Sequence, residues 1–129
     1  MRTTQEILRA AQTIAVVGAS PDPSRTSHRV MRYLQRVGYR CIPVNPNADE
    51  VLGERSYPSL ADLPEPVDLV DVFRRAEYCA DVAREAAAIG APALWLQLGL
   101  RSDETRDVAE EAGMEYVEDA CTAVVHRRL

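Results

Sequence analysis

The sequence predicts an α/β protein with a doubly wound, parallel, five-stranded sheet, and two observations carry this prediction. Five apolar runs, each suited to one buried strand, are spread over the 129 residues. Segments whose apolar side chains recur at helical spacing lie between these runs, and glycine follows several of them as a stop signal. Strands that alternate with helices indicate βαβ units, in which the strands are parallel and the crossovers are right-handed.

The strands are predicted from apolar runs that stop at turn residues. TIAVVG is largely apolar and ends at Gly18, as expected for a strand that is buried on both faces. YRCIPV ends in an NPN turn, and Pro43 is expected late in this strand because it cannot donate a ladder hydrogen bond. The predicted strands are 13–18, 39–44, 67–73, 93–99 and 114–119.

The helices are predicted from the spacing of their apolar residues. In the second of them, Val30 and Val37 fall on one face, and Gly38 follows as a stop signal. Residues 47–64 are the least regular part of the chain, with a short strand expected near 55–57 and a helical turn at SLADL. The predicted helices are 3–11, 26–37, 76–89 and 103–112.

These elements are expected to form a single Rossmann-like domain over residues 1–129, with its strands in the order 3-2-1-4-5. That order puts a switch point between the first and fourth strands. Ligands of such sheets bind beyond the carboxyl ends of the strands, near the switch point. The segments expected to form the ligand rim are 18–28, 45–48, 73–75, 97–101 and 119–121.

The net charge and the cysteine spacing exclude several kinds of binding partner. The chain carries a net charge of −5, which argues against a nucleic-acid or anionic-membrane binder, because both need a basic face. We expect neither a signal peptide nor a membrane span. The three cysteines are scattered and match neither a disulfide framework nor a metal-binding spacing, so we expect no metal and a reducing compartment, the cytoplasm.

The stretch VVGASPDPSR at 16–25 resembles half of a dinucleotide fingerprint, which requires G-x-G-x-x-G. Ala19 and Ser20 follow Gly18, so the second glycine is missing, and Pro23 stands in place of the third. The second strand ends without the carboxylate that would bind a ribose, and no Walker A sequence follows. An NAD site is therefore disfavoured, and Arg25 keeps NADP open as the alternative cofactor, through its 2′-phosphate.

The same stretch still favours an anion. Ser20 and Ser24 supply hydroxyl groups, the start of the next helix supplies free backbone amides, and Arg25 supplies a bidentate cation. His28 lies one turn later, where it either contacts phosphate or packs over the turn. The alternative is that a serine or threonine only caps the helix and that Arg25 is solvated. Arginines at 74 and 75, beyond the third strand, favour a phosphate-rich ligand.

Several motifs in order resemble one family. VVGAS, PSR, YL, GY and PVNP are similar to the small bacterial coenzyme A (CoA)-binding proteins. They are also similar to the first domain of ADP-forming acyl-CoA synthetases and, more distantly, of the succinyl-CoA synthetase alpha subunit. The resemblance continues through VLGERSYPSLADLPEPVDLVDVFR, LWLQLG and EDAC, so that it covers nearly the whole chain.

This resemblance implies CoA bound at the carboxyl edge of the sheet, with the nucleotide end against Gly18 and its neighbours and the phosphates near Arg25. It further implies adenosine flanked by Asn45 and Pro46, and a pantetheine arm that approaches Gln97. The residues predicted to bind the cofactor are Gly18, Ala19, Ser20, Ser24, Arg25, His28, Val44, Asn45, Pro46, Val72, Phe73, Arg74 and Gln97. No catalytic residue is predicted, because the synthetases depend on a phosphohistidine in a separate domain.

Cys121 is a possible thiol site on the same rim. With His126 it could form a nucleophile–base pair; the alternative is a buried thiol and an exposed terminal histidine. A mixed disulfide with the CoA thiol is the more informative hypothesis, and it requires an accessible thiol of low pKa.

The function expected from the sequence is that of a stand-alone CoA- or acyl-CoA-binding module. One alternative is an enzyme resembling NADP-dependent oxidoreductases. Another is a regulatory module that senses acyl-CoA or redox state together with a separate partner protein.

Overall fold

The computed structural model describes all 129 residues and contains a parallel sheet of five strands beside a small antiparallel hairpin. The predicted strands are all present, and no bound differs from its expected position by more than three residues. The short strand expected near 55–57 corresponds to the second hairpin strand and an adjacent bridge at Tyr57. In chain order the strands are β1 (Thr13–Val17), β2 (Arg40–Val44), β3 (Glu50–Val51), β4 (Glu54–Arg55), β5 (Leu69–Val72), β6 (Ala93–Leu96) and β7 (Glu115–Val117).

Helices cover both faces of the sheet, as a doubly wound fold requires. They are α1 (Thr4–Ala10), α2 (Thr26–Arg36), α3 (Ala76–Ala88), α4 (Asp103–Glu111) and α5 (Thr122–Arg127), with a 3₁₀ turn at Leu60–Asp62. The core between α1, α2, α5 and the sheet contains Leu8, Leu34 and Trp95. The core on the other face contains the 3₁₀ turn, α3 and α4. No helix is both long and apolar enough to cross a bilayer.

The four predicted helices are confirmed, each within one residue of its expected bounds. Helix α2 ends at Arg36, so that Val37 is its C-cap and is half-exposed rather than inward. Helix α5 was not predicted; at six residues it is too short to show a helical repeat in its sequence.

The predicted strand order is wrong in one respect. The sheet runs β2-β1-β5-β6-β7, so the third long strand pairs with β1 and does not lie beyond β2. Pro43 gives the physical reason. Its carbonyl accepts a hydrogen bond from Tyr57 on the outer side of β2, and the N–H that proline lacks would point to that same side. A strand with this gap suits the edge of a sheet, so the switch point lies between β1 and β5.

Candidate functional site

A cleft of about 740 Å³ lies at the carboxyl ends of the strands, beside the switch point. It is bounded by the segments that follow β1, β2, β5 and β6 and by the first residues of α2 and α5. Nine of the residues predicted from the sequence line it: Gly18, Ser20, Ser24, Arg25, Asn45, Phe73, Arg74, Gln97 and Cys121.

A smaller cavity of about 190 Å³ adjoins this cleft. The two share Gly18, Asn45 and Arg74, so they form one continuous depression. Two further predicted residues, Val44 and Pro46, line the small cavity. Its walls also include Val17, Leu60 and Val82, which had not been predicted to take part.

Three predicted residues line neither cavity. Ala19 and Val72 are fully buried beneath the wall. His28 is also buried, with its Nδ1 atom 2.9 Å from the carbonyl oxygen of Ser20. The His28 side chain therefore packs against the turn and does not face the cleft. This is the second of the two alternatives predicted for it.

Gly18 allows the first and third long strands to end close together. Its φ is +86°, and a Cβ atom at this position would lie 2.5 Å from the carbonyl oxygen of Phe73. Its N–H donates to Val44 (2.9 Å), and the Phe73 N–H donates to Val17 (2.8 Å). The floor of the depression therefore consists of backbone that a larger residue at position 18 would displace.

The turn after Gly18 leaves the start of α2 uncapped. Asp22 Oδ1 accepts hydrogen bonds from the backbone N–H of Ser24 (2.9 Å) and from its hydroxyl (2.8 Å), and these bonds lower the pKa of Asp22. The Ser24 hydroxyl is thus directed away from the helix. The N-cap residue is Arg25, whose side chain makes no capping bond. The proposed alternative, in which Ser24 or Thr26 caps α2, is therefore wrong, and the first-turn amides stay available for an anion.

Asn45 joins the turn after β1 to the turn after β2. Its Nδ2 donates to the carbonyl of Ala19 (2.8 Å), and its Oδ1 accepts from the N–H of Asn47 (2.8 Å). Because both ends of the amide are engaged, Asn45 fixes the shape of the wall that the two cavities share.

Positive charge gathers at the cleft, which no Asp or Glu side chain lines, although Glu85 lines the adjoining small cavity. Arg25, Arg74 and Arg75 all line it. Arg75 lies 3.8 Å from Glu77, and both side chains are largely exposed. Neither Arg25 nor Arg74 has a carboxylate within 4.0 Å, and Arg74 instead lies over the ring of Tyr78 at 4.4 Å.

Beneath the cleft lies a buried polar cluster that the sequence interpretation missed. Gln97 Nε2 donates to Asp71 Oδ1 (2.5 Å) and to Thr122 Oγ1 (3.0 Å), and the Thr122 hydroxyl donates to Asp71 Oδ2 (3.0 Å). Burial raises the pKa of Asp71 to about 7, against the opposing effect of these hydrogen bonds. The only signal in the sequence was Asp71, the second of the two aspartates in the run VDLVDVF.

Cys121 and His126 do not form a nucleophile–base pair. Cys121 lines the cleft as the N-cap of α5, whereas His126 lines a different cavity with Leu8 and Gly38. The Nδ1 atom of His126 is engaged by the hydroxyl of Tyr33 at 2.7 Å. No group of three or more His, Cys, Asp or Glu side chains is placed to hold a metal ion.

The chain is similar to proteins of known family. Residues 12–127 match the family model described as a CoA binding domain. The chain is 43% identical over 122 residues to the uncharacterised protein YneT of Bacillus subtilis (strain 168), covering 95% of this chain and 90% of that one. Its fold superposes on a hypothetical protein from Pyrococcus horikoshii OT3 with a TM-score of 0.95 at 39% identity, covering 98% of this chain and 89% of the other.

A more distant relative is a much larger enzyme. The chain is 27% identical over 128 residues to the ADP-forming acetate–CoA ligase I of Archaeoglobus fulgidus, covering 92% of this chain but only 19% of the ligase. The similarity thus concerns one domain of that enzyme. The matched family model spans all five strands of the sheet and the whole rim of the cleft, and the chain therefore belongs to the CoA-binding domain family.

Proposed function

We propose that residues 1–129 form a stand-alone module that binds CoA or an acyl-CoA in the continuous depression at the carboxyl edge of the sheet. The observation that carries the proposal is the pair of arginines, Arg25 and Arg74, that line this depression without an acidic partner in a chain of net charge −5. CoA carries three phosphate groups, and arginine binds phosphate through bidentate, charge-assisted hydrogen bonds.

The uncapped start of α2 supports the same assignment. Its free N–H groups and the positive end of its dipole lie beside Arg25 and favour a phosphate group. The backbone floor at Gly18 lets a ligand approach these amides closely. We place the CoA phosphates between this helix start and Arg74.

The two cavities suit the two ends of CoA. The small cavity has Val44, Leu60 and Val82 in its walls, which suit the face of an adenine base, and polar residues that include Glu85, which suit its edge. We place adenosine there, beside Asn45 and Pro46. The larger cleft extends to Gln97 and Cys121, and we place the pantetheine arm along it.

No catalytic step is assigned to the module. The cleft contains no nucleophile–base pair. In the synthetases, the resemblance implies that the phosphohistidine belongs to a domain separate from the one that binds CoA. NADP has no counterpart among the relatives described above. We propose a reducing compartment such as the cytoplasm, because the three scattered cysteines match no disulfide framework.

Two measurements test the proposal: calorimetric titration of the protein with CoA, with NADP as competitor, and thermal unfolding with and without CoA. We expect saturable binding of CoA and a rise in the melting temperature, since a ligand that binds only the folded state stabilises it by about 2.7 kcal/mol at 100 times its Kd. The absence of both effects at millimolar CoA, or tighter binding of NADP, would contradict the proposal.

A second proposal concerns Cys121, because its side chain lines the cleft in which we place the CoA arm. We propose that its thiolate exchanges with the disulfide of oxidised CoA. The Cys121 sulfur attacks one sulfur of the CoA disulfide, the S–S bond breaks, and the second CoA leaves as a thiolate that takes up a proton. The products are a Cys121–CoA mixed disulfide and one free CoA.

Intact-mass measurement after incubation with oxidised CoA tests this exchange. We expect one CoA adduct on the wild-type protein, none on Cys121→Ser, and a full adduct on Cys79→Ser, because Cys79 is fully buried. An adduct that persists in Cys121→Ser, or none on the wild type, would contradict the role of Cys121.

A further inference from the structure

The buried cluster beneath the cleft fixes the orientation of one amide group. Asp71 lies in β5, Gln97 directly after β6, and Thr122 at the first position of α5. All three are buried. The single proton of the Thr122 hydroxyl goes to Asp71, so this oxygen can only accept from Gln97. The ring of hydrogen bonds therefore uses both protons of the Gln97 amide.

The carbonyl oxygen of Gln97 is consequently the end left for a ligand. Gln97 Oε1 makes no hydrogen bond within the protein, whereas Nε2 makes two. Since no buried side-chain oxygen or nitrogen in the structure lacks a partner, Oε1 is not sealed in the core. Gln97 lines the cleft, so this oxygen is accessible from it.

The opposite orientation of the amide is disfavoured. A flip of Gln97 would bring its oxygen against the Asp71 carboxylate and would leave two buried acceptors without donors. Each buried acceptor that loses its partner costs about 1–3 kcal/mol. The amide is thus held with its acceptor end toward the cleft for as long as Asp71 is ionised.

We propose that Asp71 and Thr122 are positioning residues that hold Gln97 Oε1 as the hydrogen-bond acceptor for an amide N–H of the pantetheine arm. This inference rests on the proposed CoA-binding function and adds to it a requirement on the ligand. The pantetheine arm has two amide N–H donors. The nucleotide part of CoA has its donors on the adenine and ribose, which we place in the other cavity.

The test compares two ligands: CoA, and adenosine 3′,5′-bisphosphate, which retains the nucleotide end and lacks the arm. Calorimetry at about pH 8 keeps Asp71 ionised, because its pKa is raised to about 7. Thr122→Val removes the hydroxyl from the cluster and keeps the shape of the side chain. We expect it to weaken CoA binding roughly threefold to tenfold, the value of one neutral hydrogen bond, and to leave the fragment unchanged.

Two further variants separate positioning from general damage to the fold. Thr122→Ser keeps the hydroxyl and should restore the affinity for CoA. Gln97→Met removes the acceptor itself and should produce the same selective loss, and Thr122→Val should add nothing in the Gln97→Met background. Gln97→Met thus provides the test independently if Thr122→Val unfolds.

The outcomes are distinct. Selective loss of CoA binding, rescued by serine and absent from the Gln97→Met background, supports the inference. Equal losses of affinity for CoA and the fragment, or no loss of CoA affinity from Gln97→Met, overturn the inference. The proposed CoA-binding function does not depend on either result. A wild-type protein that binds neither ligand overturns the proposed function, and the inference with it.

Discussion

The two ends of the sheet each carry a cavity lined by arginine, and the two cavities differ in the parts of the helices that meet there. The cavity at the amino end, of about 610 Å³, is lined by the last residues of α1 and α5 and by Val37 and Gly38, which follow α2. The cleft at the carboxyl end is lined by the first residues of α2 and by the N-cap residues of α3 and α5. In a parallel α/β fold the chain direction imposes this difference.

The difference determines which cavity suits an anion. Helix ends present carbonyl groups and the negative end of the dipole, whereas helix starts present N–H groups and the positive end. At the amino end, Arg40 is held by Glu65 at 2.7 Å, and this contact lowers the pKa of Glu65. At the carboxyl end, Arg25 and Arg74 have no such partner, but neither has Arg9 at the amino end, so the helix ends and not the ion pairs distinguish the two cavities. Arginine alone therefore does not identify a phosphate site, because the backbone around it must also present free N–H groups.

The largest difference between the two ends is expected in the free energy of unfolding when a glycine at each end is replaced by alanine. Gly18→Ala should destabilise the protein by about 2–6 kcal/mol, because it combines a positive φ with a contact of 2.5 Å to the Phe73 carbonyl. Gly38→Ala is the matched control: its φ is also positive, but nothing lies within 4 Å of the added Cβ. Urea unfolding measures both, and equal losses would show that the close approach at Gly18 carries no cost.

The carboxylates of the two ends should respond oppositely to pH. Burial raises the pKa of Asp71 from 3.8 to about 7, so folding favours its protonated form. Its contribution to the free energy of unfolding is complete below pH 3.8 and is lost as the pH rises through about 7. A tenfold difference in proton affinity between the folded and unfolded states corresponds to roughly 1.4 kcal/mol. Glu65, whose pKa is lowered, loses its contribution as the pH falls.

Asp71→Asn isolates this effect. Urea unfolding from about pH 5 to about pH 8 should show a decline in stability for the wild type and a flatter profile for the variant. A profile for Asp71→Asn as steep as that of the wild type would mean that the Asp71 carboxyl is not destabilised by its burial.

Arginine substitutions test the comparison through binding. Arg25→Gln should weaken CoA binding roughly 10- to 100-fold, because a hydrogen bond to a charged group contributes about 1.5–3 kcal/mol. Arg9→Gln is the matched control, since Arg9 lines the amino-end cavity and is likewise exposed. Calorimetry compares the two variants, and equal effects would remove the distinction between the cavities.

The smallest expected effect is that of salt. Raising the salt concentration from about 0.01 M to about 0.15 M shortens the Debye length from roughly 30 Å to 8 Å, and CoA binding should weaken a few-fold. The dependence should be shallower for Arg25→Gln and unchanged for Arg9→Gln. An affinity that does not vary with salt would count against arginine–phosphate contacts.

The sequence predicted those features that depend on local pattern. The buried strand before Gly18 and the helix through Val30 follow from hydrophobic spacing and from one glycine. The carboxyl edge as the place of the cleft follows from the order of strands and helices alone. These features survived the error in strand order, because the first strand borders the switch point in both arrangements.

Features that depend on distant partners could not be predicted in the same way. The place of β5 beside β1 depends on which strand edges are free, and Pro43 in β2 was the one local sign of it. Asp71 is the second of two aspartates in VDLVDVF, and its partners Gln97 and Thr122 lie 26 and 51 residues away along the chain, so no local pattern could identify them. Thr122 also belongs to a helix too short to be recognised.

Backbone amide NMR during a CoA titration tests the central claim most directly, because it reports both binding and location. We expect the largest chemical-shift changes at residues 18–27, 45–47, 73–75 and 97–100, with none at 8–13 or 37–40 at the amino end. Changes centred on the amino end, or no change at saturating CoA, would contradict the account.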